Sequence, residues 1–163
     1  MNLVLAADHA GFNLKEQLKV KFQASDFKFQ ASSFTLQDVG AFSLDPADDF
    51  PLIIKLAAEQ VAKDPLNTKA IVLGRSGFGE AIVANKYRGV RAVIYQGGDL
   101  AELRLSREHN DANVLALAGA FLTVEQAWPA VQLWLNTAFS GAERHLRRLE
   151  QIKRLERELY GQN

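Results

Sequence analysis

The sequence predicts an α/β fold in which helices cover both faces of a parallel sheet. Short apolar runs alternate along the chain with segments whose apolar residues recur every three or four positions. A helix between each pair of strands allows the strands to run parallel, and helices on both faces bury such a sheet. The 163 residues fit one domain, and a hydrophobic fraction of 48% is enough for a full core.

Five strands are predicted from short apolar or alternating runs. They span residues 3–7, 34–39, 70–73, 91–95 and 113–117. In open parallel sheets, ligands bind beyond the carboxyl ends of the strands. The loops after strands one, three, four and five are therefore the first places to look for a site.

The helices are predicted from apolar faces and from start signals. The first has Leu14, Leu18 and Phe22 on one face, and the second has Ile53, Ala57 and Val61. The third begins near residue 77, the fourth covers residues 99–107, and a capping box at residues 123–126 starts the fifth. A polar and aromatic connector occupies residues 25–33.

A charged helix extends the chain from residue 141 to about residue 160. Glu143 and Arg147 lie four positions apart and support it locally. Its polarity predicts a solvated arm or an arm packed on a second copy of the chain. The expected whole is one domain, residues 1–163, with a Rossmann-like three-layer α/β/α architecture, a five-stranded parallel sheet and an extended C-terminal helix.

Composition narrows the functions that the chain can have. Lys plus Arg and Asp plus Glu each number 19, so nothing favours a nucleic-acid partner and none is expected. The chain has no cysteine, which excludes disulfides, a cysteine nucleophile and cysteine-ligated metal. No targeting signal or membrane-length apolar stretch is evident, so we expect a cytoplasmic protein without a membrane partner.

A glycine turn joins strand three to helix three, at residues 74–80. Several backbone N–H groups of such a turn can point at one spot and stabilise an anion. Glu80 stands beside them and could move a proton to or from that anion. The turn is therefore a candidate for chemistry on an oxygen-rich small molecule, or else an ordinary strand–helix connection whose glycines satisfy turn geometry.

Other polar residues lie near predicted strand boundaries. Asp8 and His9 follow strand one, and His109 and Asn110 come just before strand five. If the topology is right, several of these groups can converge on one edge of the sheet. The alternative for Asp8 is a helix cap, and the alternative for residues 109–111 is plain turn chemistry.

The C-terminal helix carries two arginines that share a face, Arg144 and Arg148. Two guanidinium groups on one face can grip a phosphate, although a solvated face is the alternative. His145 lies between them. The spacings of His9, His109 and His145 match no common metal pattern, so no metal site is predicted.

Four stretches, at residues 7–15, 74–86 with 89–92, 106–117 and 140–148, together resemble the type B ribose-5-phosphate isomerase family and its galactose-6-phosphate isomerase relatives. The resemblance implies interconversion of ribose 5-phosphate and ribulose 5-phosphate without a metal or organic cofactor. It also implies a homodimer or a dimer of dimers, with active sites at the interface and each completed by the neighbour's C-terminal region.

The resemblance also implies roles for single residues. Glu80 would be the base at C2, in the position where one branch of the family has a glutamate. The groups that would hold the enediolate oxygens are Ser76, the backbone amides of Gly77 and Gly79, and Asn110. His109 would assist ring opening, and Asp8 would contact the sugar hydroxyls. The phosphate would be bound by His9, Arg144 and Arg148, while His145 could serve ring opening or phosphate binding.

Two residues depart from the family pattern. Ala120 stands where members usually carry an arginine, and Arg75 stands in the glycine turn where a cysteine or small residue is usual. Arg75 could replace the missing charge or favour another sugar phosphate, such as galactose 6-phosphate or a tetrulose phosphate. A non-catalytic phosphosugar-binding homologue is a further alternative. A nucleotide-binding protein is disfavoured because no glycine series follows strand one.

Overall fold

The computed structural model describes residues 1–24 and 34–161, and the connector predicted at residues 25–33 lies outside them. The strands within these ranges are β1 (Asn2–Ala7), β2 (Thr35–Asp38), β3 (Thr68–Gly74), β4 (Ala92–Tyr95) and β5 (Val114–Ala118). The helices are α1 (His9–Gln23), α2 (Phe50–Lys63), α3 (Phe78–Ala84), α4 (Leu100–Asn110), α5 (Val124–Asn136) and α6 (Glu143–Tyr160).

The strands form one parallel sheet in the order β2-β1-β3-β5-β4. The predicted α/β class with a five-stranded parallel sheet is confirmed. Ala7 pairs with Leu73, and Gly74 pairs with Ala118, so β1, β3 and β5 end side by side. The chain adds β2 on one side of β1 and β3 on the other. The ends of β1 and β3 therefore form a topological switch point, where ligands of such sheets bind.

Both faces of the sheet are buried, because neighbouring residues of each strand enter opposite cores. Leu3 and Leu5 of β1 face the core shared with α1 and α5, whereas Val4 faces the core shared with α2 and α3. The apolar face predicted for α2 needs one correction. Ile54 is fully buried while Ile53 is only partly buried, so the face lies about one residue further along the helix.

The first turn of α1 packs closely on the end of β3. A Cβ at Gly11 would collide with the backbone of Leu73, so only glycine allows this approach. The predicted capping box of α5 is present, with Thr123 and Gln126 bonding each other's backbone amides. In the described part of the chain, no helix is long and apolar enough to span a membrane.

Candidate active site

Asp8 lies at the switch point, directly after β1, and is 6% exposed. Its Oδ1 accepts hydrogen bonds from the amides of Ala10 and Gly11, each at 3.0 Å, and so caps α1. The helix-cap interpretation of this residue is therefore confirmed. Because the cap fixes the side chain, its carboxylate is held at the carboxyl end of β1.

Glu80 lies in the first turn of α3 and is 4% exposed. Its carboxylate rests on Gly74, the last residue of β3, where any Cβ would collide with the carboxyl group. The turn itself needs Gly77, whose φ of 79° is left-handed. The glycines of this turn therefore do more than reverse the chain, because one of them makes room for a buried acid.

Burial is the main reason that the pKa of Glu80 is raised, and the nearby charge of Asp8 raises it further. Hydrogen bonds from the backbone amides of Glu80 and Gly77 oppose the shift. Burial raises the pKa of Asp8 as well, against the amide bonds of its cap. A carboxylate whose pKa is raised toward neutral pH is a stronger base, so Glu80 is suited to removing a proton from carbon.

Loops from the neighbouring strands hold the turn in place. The amide of Gly119 donates to the carbonyl oxygen of Gly74 at 2.7 Å, and Gln96 Nε2 donates to that of Ser76 at 2.8 Å. Ser76 Oγ lies 3.4 Å from the amide of Phe78. Gln96 was not found from the sequence, although its place just after β4 is one that the strand-end rule selects.

Arg75 and Ala120, the two departures expected from the resemblance, are neighbours in the structure. The amide of Ala120 donates to the carbonyl oxygen of Arg75 at 3.1 Å. Both residues are exposed. The Arg75 side chain therefore starts beside residue 120, where the resemblance predicted an arginine, so it can supply a charge near that position.

His9 is held by an aspartate that the sequence analysis did not single out. Asp48 Oδ1 lies 2.6 Å from His9 Nδ1 and accepts from the His9 amide at 3.1 Å. The hydrogen bond to Asp48 is the largest cause of the raised pKa of His9. Asp48 Oδ2 is buried with no hydrogen-bond partner in residues 1–24 and 34–161.

Asp8, His9 and Asp48 are also the set, among the described residues, that could hold a metal ion. One ligand atom from each lies within 4.8 Å of the others. His9 Nδ1 already faces Asp48 at hydrogen-bonding distance, which favours an imidazolium–carboxylate pair over a ligand set. The absence of a metal stays a prediction from the sequence.

The expectation that His109 and Asn110 join the other groups at one edge is wrong for a single chain. They end α4, which starts beside the carboxyl end of β4 and returns over 11 residues to the start of β5. A helix of that length spans about 16 Å. The carbonyl oxygen of Asn110 accepts from Arg91 Nε at 3.1 Å, next to the start of β4. Both residues therefore lie at the amino edge of the sheet.

The C-terminal groups lie at this amino edge too. The rings of His109 and His145 are 4.2 Å apart. Burial, then the charges of His109, Arg144 and Arg148, lower the pKa of His145. Two clusters result. The carboxyl-edge cluster contains Asp8, His9, Ser76, Gly77, Gly79 and Glu80. The amino-edge cluster contains His109, Asn110, Arg144, His145 and Arg148.

The fold and the carboxyl-edge cluster define an α/β protein with a buried carboxylate at the switch point, suited to proton transfer on a small anionic ligand. The family model described as Ribose/Galactose Isomerase matches residues 3–152, and the chain belongs to this family. The resemblance found in the sequence is thereby confirmed.

Relatives and solved structures agree with this assignment. Ribose-5-phosphate isomerase B of Mycolicibacterium paratuberculosis is 38% identical over 96% of this chain and 92% of its own length. The crystal structure of ribose-5-phosphate isomerase B from Mycoplasma genitalium, with bound ribulose-5-phosphate, is 33% identical with a TM-score of 0.82 and covers 96% of this chain and 97% of that one. D-erythrulose-4-phosphate isomerase 2 of Mycolicibacterium smegmatis is 32% identical over 85% of this chain and 86% of its length.

Proposed function

We infer that the chain is an aldose–ketose isomerase that interconverts ribose 5-phosphate and ribulose 5-phosphate. Family membership and the relatives of that name support the substrate. The observation that carries the chemistry is the buried carboxylate of Glu80, seated on Gly74 and raised in pKa at the sheet edge. No other described acid combines this burial with a place in a glycine turn.

The reaction needs one base that both takes and returns a proton. Glu80 removes the proton from C2 of the open-chain aldose and becomes neutral, while the substrate becomes an enediolate. The same carboxylic acid then gives its proton to C1, and a proton moves from O2 to O1 to leave the ketose. The hydroxyl of Ser76 and the amide of Gly79 stabilise the enediolate oxygens while charge develops there. The amide of Gly77, expected to join them, instead donates to the carboxylate of Glu80.

The second half of each site comes from another copy of the chain. The amino-edge cluster lies on the far side of the sheet from Glu80, so His109, Asn110 and Arg144 cannot reach the same substrate within one chain. A two-fold dimer that sets the amino-edge cluster of one copy against the carboxyl-edge cluster of the other completes two equal sites. The assembly proposed is a homodimer or a dimer of two such dimers.

An exposed apolar surface beside the glycine turn supports this assembly. Phe78 and Ile82 of α3 are 55% and 61% exposed, and Ile94 of the edge strand β4 is exposed beside them. Together they line a groove next to the base. Along α6, Ile152, Leu155 and Leu159 form a second exposed apolar stripe at helical spacing. Such surfaces mark protein contacts, and residues 141–160 are the proposed dimer arm of the single domain.

Turnover of ribose 5-phosphate by the wild type and by Glu80→Gln, with a chelator present, tests the proposal. We expect kcat to fall about 10³-fold in the variant, with the melting temperature retained, because the amide cannot take a proton. Glu102→Gln, which changes an exposed glutamate of α4, is the matched control and keeps wild-type kcat. A Glu80→Gln enzyme with near-normal kcat would refute the assignment of Glu80 as the base.

The absence of a metal or cofactor and the cytoplasmic location remain predictions from the sequence.

A tetrulose phosphate is the second candidate substrate. The relative named D-erythrulose-4-phosphate isomerase 2 favours it, as does Arg75 beside the site. Comparison of kcat/KM for ribose 5-phosphate and D-erythrulose 4-phosphate decides between them. Arg75→Gly tests charge replacement in the same assay, because an unaltered KM would show that Arg75 does not bind the phosphate.

A further inference from the structure

Both ring nitrogens of His145 are engaged within the chain. His145 is 2% exposed, although it lies in the first turn of the exposed helix α6. Arg144 Nε donates to His145 Nε2 at 2.9 Å, and His145 Nδ1 lies 2.8 Å from Ser140 Oγ. Ser140 is itself tied down, since its amide donates to the carbonyl oxygen of Glu108 at 3.0 Å.

These contacts fix the ring state of His145. An arginine Nε–H can only donate, so His145 Nε2 must carry a lone pair. The ring proton is then on Nδ1, which donates to Ser140 Oγ, and the imidazole is neutral. Protonation of Nε2 would set N–H against N–H and add a cation beside Arg144.

The surroundings of the ring favour the same state. The groups facing it are His109 from α4, Arg144 and Arg148 from its own helix, and Phe139 from the preceding segment. Burial and the positive charges lower the pKa of His145, against a hydrogen bond with the backbone of Glu108. In the part of the chain that the structure describes, no anionic side chain pairs with this ring.

We propose that His145 is a positioning residue, a neutral imidazole protonated on Nδ1 that fixes the Arg144 guanidinium for the substrate phosphate and leaves acid–base work to His109. His109 and His145 differ in whether their ring nitrogens are already hydrogen-bonded. His109 is partly exposed, and its ring makes no hydrogen bond with the residues that the structure describes. Its nitrogens are therefore available to a substrate, whereas those of His145 are occupied. The proposal rests on the isomerase function inferred above.

The ring state can be measured directly. Long-range ¹H–¹⁵N correlation spectra distinguish the two neutral tautomers and the cation by their nitrogen shifts, and the chain has only three histidines. Comparison with His145→Gln assigns the His145 signals. We expect a pyrrole-like Nδ1 and a pyridine-like Nε2 at neutral pH. A doubly protonated His145 ring, or a neutral ring with its proton on Nε2, would overturn the proposal. This measurement does not depend on any enzymatic activity.

Two substitutions separate positioning from proton transfer. In His145→Gln, the amide oxygen can take the place of Nε2 and still accept from Arg144, so kcat and KM for ribose 5-phosphate should stay within about twofold of wild type. His145→Phe keeps a ring against His109 but removes the acceptor. We expect its KM to rise about five- to tenfold with kcat nearly unchanged, the effect of one hydrogen bond.

Binding of inorganic phosphate, measured by calorimetry, should weaken by the same factor in His145→Phe and not in His145→Gln. If the wild type proves inactive on ribose 5-phosphate, the proposed isomerase function is wrong. The phosphate titration still tests whether His145 positions the Arg144 guanidinium. A large loss of kcat in both variants with unchanged phosphate binding would instead make His145 an acid–base catalyst. Should His145→Phe fail to fold, His145→Gln and the spectra decide alone.

Discussion

At the scale of single residues, Asp48 controls the charge of His9. The hydrogen bond between them raises the pKa of His9, so the imidazole keeps its proton to a higher pH than a free histidine does. In Asp48→Asn, the pKa of His9 falls back toward its ordinary value of 6.5. A cation binds a phosphate dianion better than a neutral ring does. We therefore expect KM for ribose 5-phosphate to match wild type at pH 6 and to be several-fold higher at pH 8.

The comparison needs a variant that removes the same charge from the same loop. Asp45→Asn does so. The charge of Asp45 is the smallest of the named causes that raise the pKa of His9, and the Asp45 carboxylate accepts a hydrogen bond from the amide of Ala47. Its KM should follow the wild-type pH profile. If Asp48→Asn raises KM equally at pH 6 and pH 8, the residue acts on the shape of the loop and not on the charge of His9.

Asp48 also shows why part of the site could not be predicted from the sequence. Asp8, Ser76 and Glu80 were found because each follows a strand, and the strand-end rule makes their convergence predictable. Asp48 stands 39 residues from His9 and reaches it through an irregular loop. The only signal was an acidic loop before α2, and such loops are usually solvated.

At the scale of elements, the seating of α1 on β3 depends on Gly11. This glycine lies three positions before Leu14, on the same buried face as Leu18 and Phe22. A methyl group in Gly11→Ala would meet the Leu73 backbone, which cannot move aside as a side chain could. We expect the free energy of unfolding to fall by about 1–3 kcal/mol, measured by urea denaturation.

The matched control for this packing is Gln17→Ala, on the exposed face of the same helix. Its free energy of unfolding should stay within about 0.5 kcal/mol of wild type. Equal stabilities of the two variants would show that α1 can shift away from the sheet without cost.

Helix α4 explains why His109 and Asn110 do not lie at the sheet edge where the sequence predicted them. A helix that joins parallel strands starts at the carboxyl edge and must end at the amino edge. His109 and Asn110 come at the end of such a helix, so the predicted order of elements already sets them opposite Glu80. Proximity to a strand boundary was the wrong criterion, because the two ends of a strand lie on different sides of the molecule.

At the scale of the whole molecule, the two clusters lie at opposite edges of the sheet, so the proposed site is complete only in an assembly of two copies. In the proposed dimer, each copy of the chain contributes the Glu80 base to one site and His109, Arg144 and Arg148 to the other. The sequence predicted the parallel sheet because hydrophobic periodicity reports burial directly. Sites shared between two copies were predicted only from the family resemblance. No local sequence pattern shows which edge of a second copy faces the first.

Mixing two inactive variants tests this division. Glu80→Gln damages the carboxyl-edge cluster and His109→Asn the amino-edge cluster. In a heterodimer of the two, both lesions fall in one site and the other site is wild type. Random exchange in an equal mixture makes half of the dimers heterodimers, so about a quarter of wild-type activity should return.

Glu80→Gln mixed with Asp8→Asn is the control. Both lesions then lie in the same cluster, every site keeps one of them, and activity should stay low. No recovery in the first mixture, after exchange is verified by mass spectrometry, would place each complete site within a single chain. Recovery in the control would show that the Glu80 and Asp8 of one site come from different copies.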